Sequence, residues 1–506
     1  MNNTAVQPQD GPRVASPLIS SLREDFQTIT REIKADRAAK AEKEIKGRTV
    51  TDVLSELINT FEEVDFRERA KLEPDQKITQ KIYVVQSADI ILEKAIAQNW
   101  GIGVNNDFIY IYNGKYWQPT GTGDFKTFLS DAAKKMGVPL NDAKYYKFQD
   151  ELYKQFISIA NLTTPEPNNN ITLINLQNGT FEISKDKQSL RDYRREDFLK
   201  YQLTFSYDPS AKAPMFEKYL ERVLPDEDCR KVLAEYIGYI FTHGLKLEKI
   251  ALLYGSGANG KSVFFDIITA LLGRENTCSF SLQSLTKTDS YQRGELSDKL
   301  LNYASEINGS LEASIFKQLA SGEPVGARRI YGHPFTMEKY AKLMFNCNEL
   351  PKETEQTNAF FRRFLIIPFT QTIPEAERDV NLSKKIIEKE LSGVFNWVLD
   401  GLKRLLAQGA FTASTVIENQ LKEFRMQSDS VSMFLEECSY KKSSRSTTPL
   451  QTLYNEYGNF CVANGYCSVS NKNLRKRLEA LGYETRKTMA GQCVFIEKSD
   501  EHFNAF

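Results

Sequence analysis

Apolar positions along this chain change their period several times, and each change marks a candidate element. Leu18, Leu22, Phe26, Ile29 and Ile33 recur at helical spacing before Lys, Glu and Ala take over by residue 46. A second stripe, Val53, Leu54, Leu57, Ile58 and Phe61, follows Thr51. Residues 1–16 are polar and carry Pro8 and Pro12, a composition expected to be disordered. Residues 62–82 are charge-rich and read as a linker. Residues 1–87 are therefore expected to form a tail and an amphipathic helical arm. Its stripes need a partner to bury them, and self-association is one expected use.

Alternation with turn signals then takes over. Residues 108–117 read as a hairpin around Asn113-Gly114, and 172–183 repeat the device around Asn178-Gly179. Residues 226–242 read as a helix with Val232, Leu233, Tyr236, Ile237 and Phe241 on one face. Residues 88–245 are thus a mixed α+β domain. Beyond it, short apolar runs at 250–254, 299–304, 342–347 and 364–369 suit strands buried on both faces. A long helix carries Ile386, Ile387, Leu391, Phe395, Val398, Leu402 and Leu405, with Gly409 past its end. Residues 246–410 are expected to be one α/β core. In 411–506 a polar break at 441–448 precedes helices at 449–465 and 471–482 and a hairpin at 483–496, a winged-helix-like order. No internal repeat is visible.

Composition narrows the class. At 41% hydrophobic and 26% charged, with no run of eighteen apolar residues, a membrane span is not expected. No secretory signal is visible at the N-terminus, and seven Cys without C-x-x-C spacing suit reduced thiols in a cytoplasm. Three His make a structural zinc site a poor expectation. Lys and Arg balance Asp and Glu at 66 each, which argues against a chain-wide nucleic-acid coat. The balance is uneven, however: residues 441–498 hold ten Lys or Arg against four Glu.

The most specific chemistry lies at 255–262. Gly255-Ser256-Gly257-Ala258-Asn259-Gly260-Lys261-Ser262 satisfies G-x-x-x-x-G-K-S/T between an apolar strand and an apolar-faced helix that opens with Lys261, Ser262 and Val263. Its glycines let successive N–H groups face phosphate oxygens at a helix N-terminus. Lys261 is then expected to reach the β- and γ-phosphates of ATP, and Ser262 to ligate Mg2+. Three signals follow in order. Glu306 ends the strand at 299–304, where it can polarise water or help hold the metal. Asn348 ends the strand at 342–347, where a neutral amide can orient a phosphate. Arg362 and Arg363 precede the strand at 364–369, and a guanidinium suits the charge of phosphoryl transfer.

That order, Gly255–Ser262, Ser305-Glu306, 317–335, Asn348-Glu-Leu-Pro, Arg362-Arg363, resembles the superfamily 3 helicases, and within them the phage/plasmid and poxvirus primase-helicase family. Upstream, residues 173–179, Tyr207-Asp-Pro209 and Glu235-Tyr-Ile-Gly238 are similar to that family's preceding domain, and Asn396 to Arg404 fit its C-terminal helix. The resemblance covers roughly 90–410. It implies an α/β, P-loop, AAA+-like core behind a helical and mixed α+β N-terminal region, with the winged-helix-like domain after it. It further implies a homo-oligomeric ring, a hexamer, with ATP between subunits and movement along single-stranded or forked DNA. Glu306 becomes the catalytic carboxylate and a candidate metal ligand, Asn348 the γ-phosphate sensor, and Arg362 or Arg363 a finger acting on a neighbour, Arg362 being preferred. Ser305 departs from the Asp that many such ATPases place before the catalytic Glu.

The family also places a channel hairpin within 325–335. Lys317, Arg328 and Arg329 are candidate phosphate contacts there, and Tyr331 and His333 candidate sugar or base contacts. A second DNA surface is expected on the C-terminal unit at Arg475, Lys476, Arg477, Arg486 and Lys487. Residues 1–245 offer only Cys229 and His243 towards a zinc site, so primer synthesis is not expected and a separate primase is a candidate partner. Two other classes stay open: a nucleotide kinase, and an initiator that binds DNA and uses ATP for assembly.

Overall fold

The computed structural model describes residues 49–97, 100–105, 108–161, 170–242, 244–305, 307, 311–329, 334–350, 357–466, 468–488 and 491–498. The expected tail and first stripe, Glu306 expected as the catalytic carboxylate, and the expected DNA contacts Tyr331 and His333 lie outside them.

Residues 49–161 with 194–198 form one compact unit. Its elements are α1 (Val50–Ile58), α2 (Phe66–Arg69), α3 (Gln80–Ala97), β1 (Ile102–Asn105), β2 (Phe108–Tyr112), β3 (Trp117–Pro119), α4 (Thr122–Lys135), α5 (Leu140–Lys144) and α6 (Tyr146–Ile159). Thr49 and Asp52 close a reciprocal capping box on α1. The α1 stripe is no free arm: Val53, Leu54, Leu57 and Phe61 join Ile91, Ile111, Phe125 and Leu129 in a single core. The charged 62–82 segment is packed as well, with Phe66 buried edge-on against Tyr83. Helix α3 crosses the boundary expected at 87, because its own apolar face belongs to that core. The hairpin at 108–117 forms as β2–β3, with Gly114 at φ +93° in its turn.

The second unit begins with a small antiparallel sheet of β4 (Thr172–Leu176), β5 (Gly179–Ile183) and β6 (Gln188–Arg191), followed by α7 (Pro214–Val223) and α8 (Glu227–Tyr239). The core then runs β7 (Ile250–Tyr254), α9 (Lys261–Leu272), β8 (Thr277–Cys278), α10 (Leu282–Thr286), β9 (Leu301–Ala304), α11 (Ala313–Ser321), β10 (Val325–Arg328), β11 (Pro334–Met337), β12 (Lys342–Cys347), α12 (Asn358–Phe361), β13 (Phe364–Pro368), α13 (Leu382–Lys389), α14 (Leu391–Gln408) and α15 (Thr415–Gln427). Five strands make an all-parallel sheet in the order β13-β7-β12-β9-β8. β7 is interior and covered on both faces, which is why Ile250, Ala251, Leu252 and Leu253 read as a continuous apolar run. β10 and β11 form a separate antiparallel pair, with Val325, Ala327 and Met337 turned into the core.

Helix α14 is clamped to α8. Glu235, with no exposed surface, accepts from Arg404 Nε at 2.6 Å and from Thr412 N and Oγ1 at 2.8 and 2.5 Å. Cβ atoms on Gly238 and Gly401 would lie 2.7 Å from Leu402 Cβ and 2.4 Å from the Ala234 carbonyl carbon. The two helices therefore touch backbone to backbone. The motif residues Tyr207, Asp208 and Asn396 act structurally too. Asn178 exchanges two 2.9 Å hydrogen bonds with the Tyr207 backbone, and Asn396 Nδ2 donates to Asp208 O and Ala211 O at 3.0 and 2.9 Å.

The core runs past the boundary expected at 410: Phe424 of α15 stacks edge-on against Phe361 and Phe364. A last cluster then forms from α16 (Ser430–Glu437), β14 (Tyr440–Pro449), α17 (Leu450–Asn464), α18 (Asn471–Ala480), β15 (Thr485–Thr488) and β16 (Gly491–Lys498). The polar break at 441–448 is in fact strand β14, paired antiparallel to β16 with a register shift between Lys442 and Thr447. It lacks an alternating signal because only Tyr440 of it is buried.

Gly401→Ala should destabilise the protein by about 1–3 kcal/mol through overpacking against α8. Gly458→Ala, in α17 where an added Cβ meets nothing within 4 Å, should be neutral or stabilise by up to about 1 kcal/mol. Thermal melting of the two variants side by side checks both.

Candidate functional site

β7 delivers Tyr254 level with Cys347 of β12 and Pro368 of β13. The loop stays tied to the sheet as it leaves, since Gly255 N–H donates to Cys347 O at 3.1 Å. A Cβ on Gly255 would stand 2.1 Å from Asn259 Nδ2 and 2.2 Å from Phe369 O, so only glycine fits. Gly257, Ala258 and Gly260 turn the chain with φ of +111°, +50° and +86°. Asn259 is the internal brace: its buried Nδ2 donates to Phe369 O at 2.8 Å. Lys261 Nζ crosses back over the loop, donating to Gly255 O at 2.6 Å and to Asn259 Oδ1 at 3.0 Å. Tyr219 OH on α7 donates to Gly260 O at 2.7 Å and fixes the entry to α9. Neither Tyr219 nor the brace by Asn259 is foretold by the motif, because both partners lie far away in sequence.

Only 6% of Lys261 is exposed. Burial holds its pKa below the usual lysine range, while the neighbouring Cys347 acts the other way. Burial in turn pushes the Cys347 thiol up to about 12, opposed by Lys261. The twelve-residue α9 has no side-chain cap at its N-terminus. Ser256, Ala258 and Ser262 are exposed, Val263 is half-buried against the core, and a Cβ on Gly257 would meet nothing within 4 Å. Uncapped backbone donors, an ammonium that burial disfavours, and an open hydroxyl fit a polyphosphate with a hard cation. Among the described residues no group of three or more His, Cys, Asp or Glu could hold a metal. The exposed Ser262 hydroxyl is placed to serve as a protein ligand of a cation held by such a phosphate.

Two further strand ends flank the loop. Asn348 is exposed immediately beyond Cys347, hence beside Gly255 at the same edge of the sheet. β9 ends at Ala304, level with Phe345, and exposed Ser305 follows. Beneath this edge lies a neutral pair that the motif order does not signal: buried Tyr303 donates its hydroxyl to Asn346 Oδ1 at 2.9 Å.

The two arginines occupy the opposite edge. Ile250 N–H donates to Arg363 O at 2.8 Å, so Arg362 and Arg363 lie at the start of β7, whereas the glycine loop lies past its end. Five residues of strand rise place these edges ~16 Å apart. The arginines differ in kind. Arg363 is 7% exposed and held inside the subunit by Ser321 Oγ, with Nη2 at 2.9 Å, and by Ala359 O. Arg362 keeps 59% of its side chain exposed while Nη2 pairs with Glu248 at 2.6 Å.

The β10–β11 pair starts from that same edge, since α11 runs back to Ser321 before β10 begins. Arg328 is exposed with its guanidinium 5.8 Å from the Tyr291 ring centroid. Arg329 lies half-buried, 3.9 Å from Glu295, and Lys317 is half-buried on α11. In the C-terminal unit Lys476, Arg486 and Lys487 are exposed, and Arg475 pairs with Glu479 at 3.1 Å. Arg477 is turned inward instead, onto Asp429 at 3.0 Å, where it steadies the N-cap of α16. No described helix is long and apolar enough to cross a membrane.

Comparison with known proteins adds family context to this geometry. Residues 90–225 match a family described as D5 N terminal like, 253–363 a family of unknown function (DUF5906), and 426–505 a family described as Poxvirus D5 protein-like. Two viral proteins, each named "Putative helicase", are similar. 121R of Invertebrate iridescent virus 3 is 22% identical over 339 residues, 58% of this chain and 35% of that protein. A protein of Acanthamoeba polyphaga mimivirus is 24% identical over 230 residues, 43% of this chain and 24% of that protein. The matched stretches thus span about a third or less of these relatives. The solved NrS-1 C terminal region is 9% identical, with 82% of this chain and 99% of that one covered, at a TM-score of 0.45, too loose to carry a conclusion. The D5-like matches on either side of the glycine-loop sheet, with the helicase-named viral relatives, support a resemblance of this chain to the phage- and poxvirus-like primase-helicase family.

Proposed function

We infer that the protein is an ATP-dependent DNA helicase of superfamily 3 type, working as a ring whose nucleotide sites are each completed by a neighbouring subunit. One observation carries this reading: the exposed Arg362 and the glycine loop sit at opposite edges of one sheet. Arg362 cannot serve the loop of its own chain across ~16 Å of strand. It suits the loop of the next subunit, and a closed head-to-tail ring gives every loop such an arginine.

Bound ATP with Mg2+ supplies the bond to be hydrolysed and the charge to be stabilised. This chain's part is to hold it. Backbone N–H groups from Gly257 to Val263 cradle phosphate oxygens, and Lys261 exchanges its loop oxygens for them. Asn348 is placed to orient the terminal phosphate, and Glu306 is kept as the carboxylate that activates water. Arg362 of the neighbour neutralises developing charge. Lys317, Arg328 and Arg329 near the β10–β11 pair would meet phosphates of a strand in the channel. Arg475, Lys476, Arg486 and Lys487 on the C-terminal unit, whose helix–strand–helix–helix–hairpin order suits a winged helix, would meet duplex DNA at the fork.

Lys261→Ala should lower ATPase turnover at least about 100-fold and abolish unwinding of a forked substrate while leaving assembly intact, as read by sedimentation. Arg362→Ala should be equally inactive, yet regain activity when mixed with Lys261→Ala subunits, because some mixed interfaces then hold an intact loop facing an intact arginine. Arg363→Ala should instead lose about 1–3 kcal/mol of stability, read as earlier melting, since it strands buried hydrogen-bonding groups. Full strand displacement by Lys261→Ala, or ATP turnover indifferent to DNA, would exclude the helicase reading. DNA-stimulated hydrolysis with no strand displacement would instead favour an initiator.

Replacing Lys476, Arg486 and Lys487 together by Ala should weaken duplex binding and flatten its salt dependence by about 2–3 units of log K per log salt. Fluorescence anisotropy across a salt series reads this directly.

A further inference from the structure

Glu248 is the least expected residue around the arginine pair. It precedes β7, takes φ +54° although it is not glycine, and is far in sequence from everything its carboxylate touches. Such a conformation persists only where surrounding contacts over-determine it. Here they do. Glu248 Oε2 lies 2.6 Å from Arg362 Nη2 and 3.4 Å from Arg363 Nη2. The next residue, Lys249, donates Nζ to the Arg362 carbonyl. Burial and the nearby Arg362 hold the Lys249 pKa below its usual value.

The contacts continue inward. Arg363 passes from Glu248 to Ser321, donating to its Oγ from Nε at 3.3 Å and from Nη2 at 2.9 Å. Ser321 is the last residue of α11, and Gly322 at φ +67° turns the chain towards β10. Tyr340 OH braces the same corner by donating to Gln318 O at 3.0 Å and Glu323 O at 2.9 Å. A single side-chain path therefore runs Arg362–Glu248–Arg363–Ser321 and ends at the base of the β10–β11 pair.

We propose that Glu248 is a positioning residue: it sets the Arg362 guanidinium offered to the neighbouring subunit's nucleotide and, through Arg363 and Ser321, ties that arginine to the DNA-facing β10–β11 pair. This rests on the helicase reading above. The geometry favours positioning over sequestration. Among the described residues only Nη2 of Arg362 is engaged, which leaves Nε and Nη1 to be offered to a phosphate, and the side chain remains mostly exposed. Arginine has five donors in a rigid fork, so one carboxylate can fix its plane while the other edge binds.

Glu248→Gln in the full chain keeps the shape and backbone but removes the charge. Expected is a fall in ATPase kcat of about ten-fold or more, with KM for ATP, equilibrium binding of a fluorescent ATP analogue, ring assembly and melting temperature near wild type. Glu248→Asp should recover part of the lost kcat. Ser321→Ala should keep DNA-free hydrolysis but lose most of the stimulation by single-stranded DNA. Wild-type kcat and stimulation in Glu248→Gln would overturn the proposal, as would a rise in hydrolysis, which would make the contact a latch. A kcat loss matched by loss of melting temperature or of analogue binding would overturn it too. Arg362→Ala run in parallel separates the two layers. If it hydrolyses normally, the shared-site reading fails; if it is inactive while Glu248→Gln is normal, only the role of Glu248 fails.

Discussion

The glycine loop exists in its observed shape because two backbones meet where Gly255 leaves β7. The Phe369 carbonyl stands where a side chain would begin, and Asn259 fills the remaining space by bonding that carbonyl. Once that contact is made, Asn259 Oδ1 and Gly255 O can hold the Lys261 ammonium in a buried position. An ammonium without such oxygens would be costly to bury. The placement of α9, of its uncapped N-terminus and of Asn348 beside the loop all follow from this junction of β7, β12 and β13.

The parallel sheet then divides the work between its two edges. Strand C-termini carry the loop and Asn348, while N-termini carry Arg362, Arg363, Glu248 and the start of the β10–β11 pair. A single chain cannot bring these edges together, because β7 is a stiff spacer of fixed rise. Two copies can. The same edge gives the β10–β11 pair and the exposed arginine a common footing, the short route on which the proposed coupling between them rests.

Around this core, several residues that carry the family resemblance prove to be structural. Glu235, Gly238 and Arg404 lock α8 against α14, and Asn178, Tyr207 and Asn396 knit the small β4–β6 sheet to that helix. Glu390 is a further tie, its carboxylate accepting from the Met215 and Phe216 N–H groups at 3.1 and 3.0 Å and so capping α7 from a distance. α7 in turn supplies Tyr219 to the loop. Helix α7 thus reaches the candidate site through packing and one backbone hydrogen bond.

The sequence by itself determined the strand–loop–helix at 250–272, the apolar strands of the sheet, the Asn-Gly hairpin at 108–117 and the helices of the C-terminal unit. Each is set by local spacing, by glycines and by burial on both faces, which leave a signal within a few residues. Only the tertiary structure decided that Arg363 is an internal strut and Arg362 an exposed one, since adjacent identical residues differ solely in what surrounds them. It likewise decided that α1 packs inward, that Arg477 faces Asp429, that 440–449 is a strand and that Glu248 serves the arginines. These depend on partners dozens to more than a hundred residues away, and distance along the chain erases any periodic trace of them.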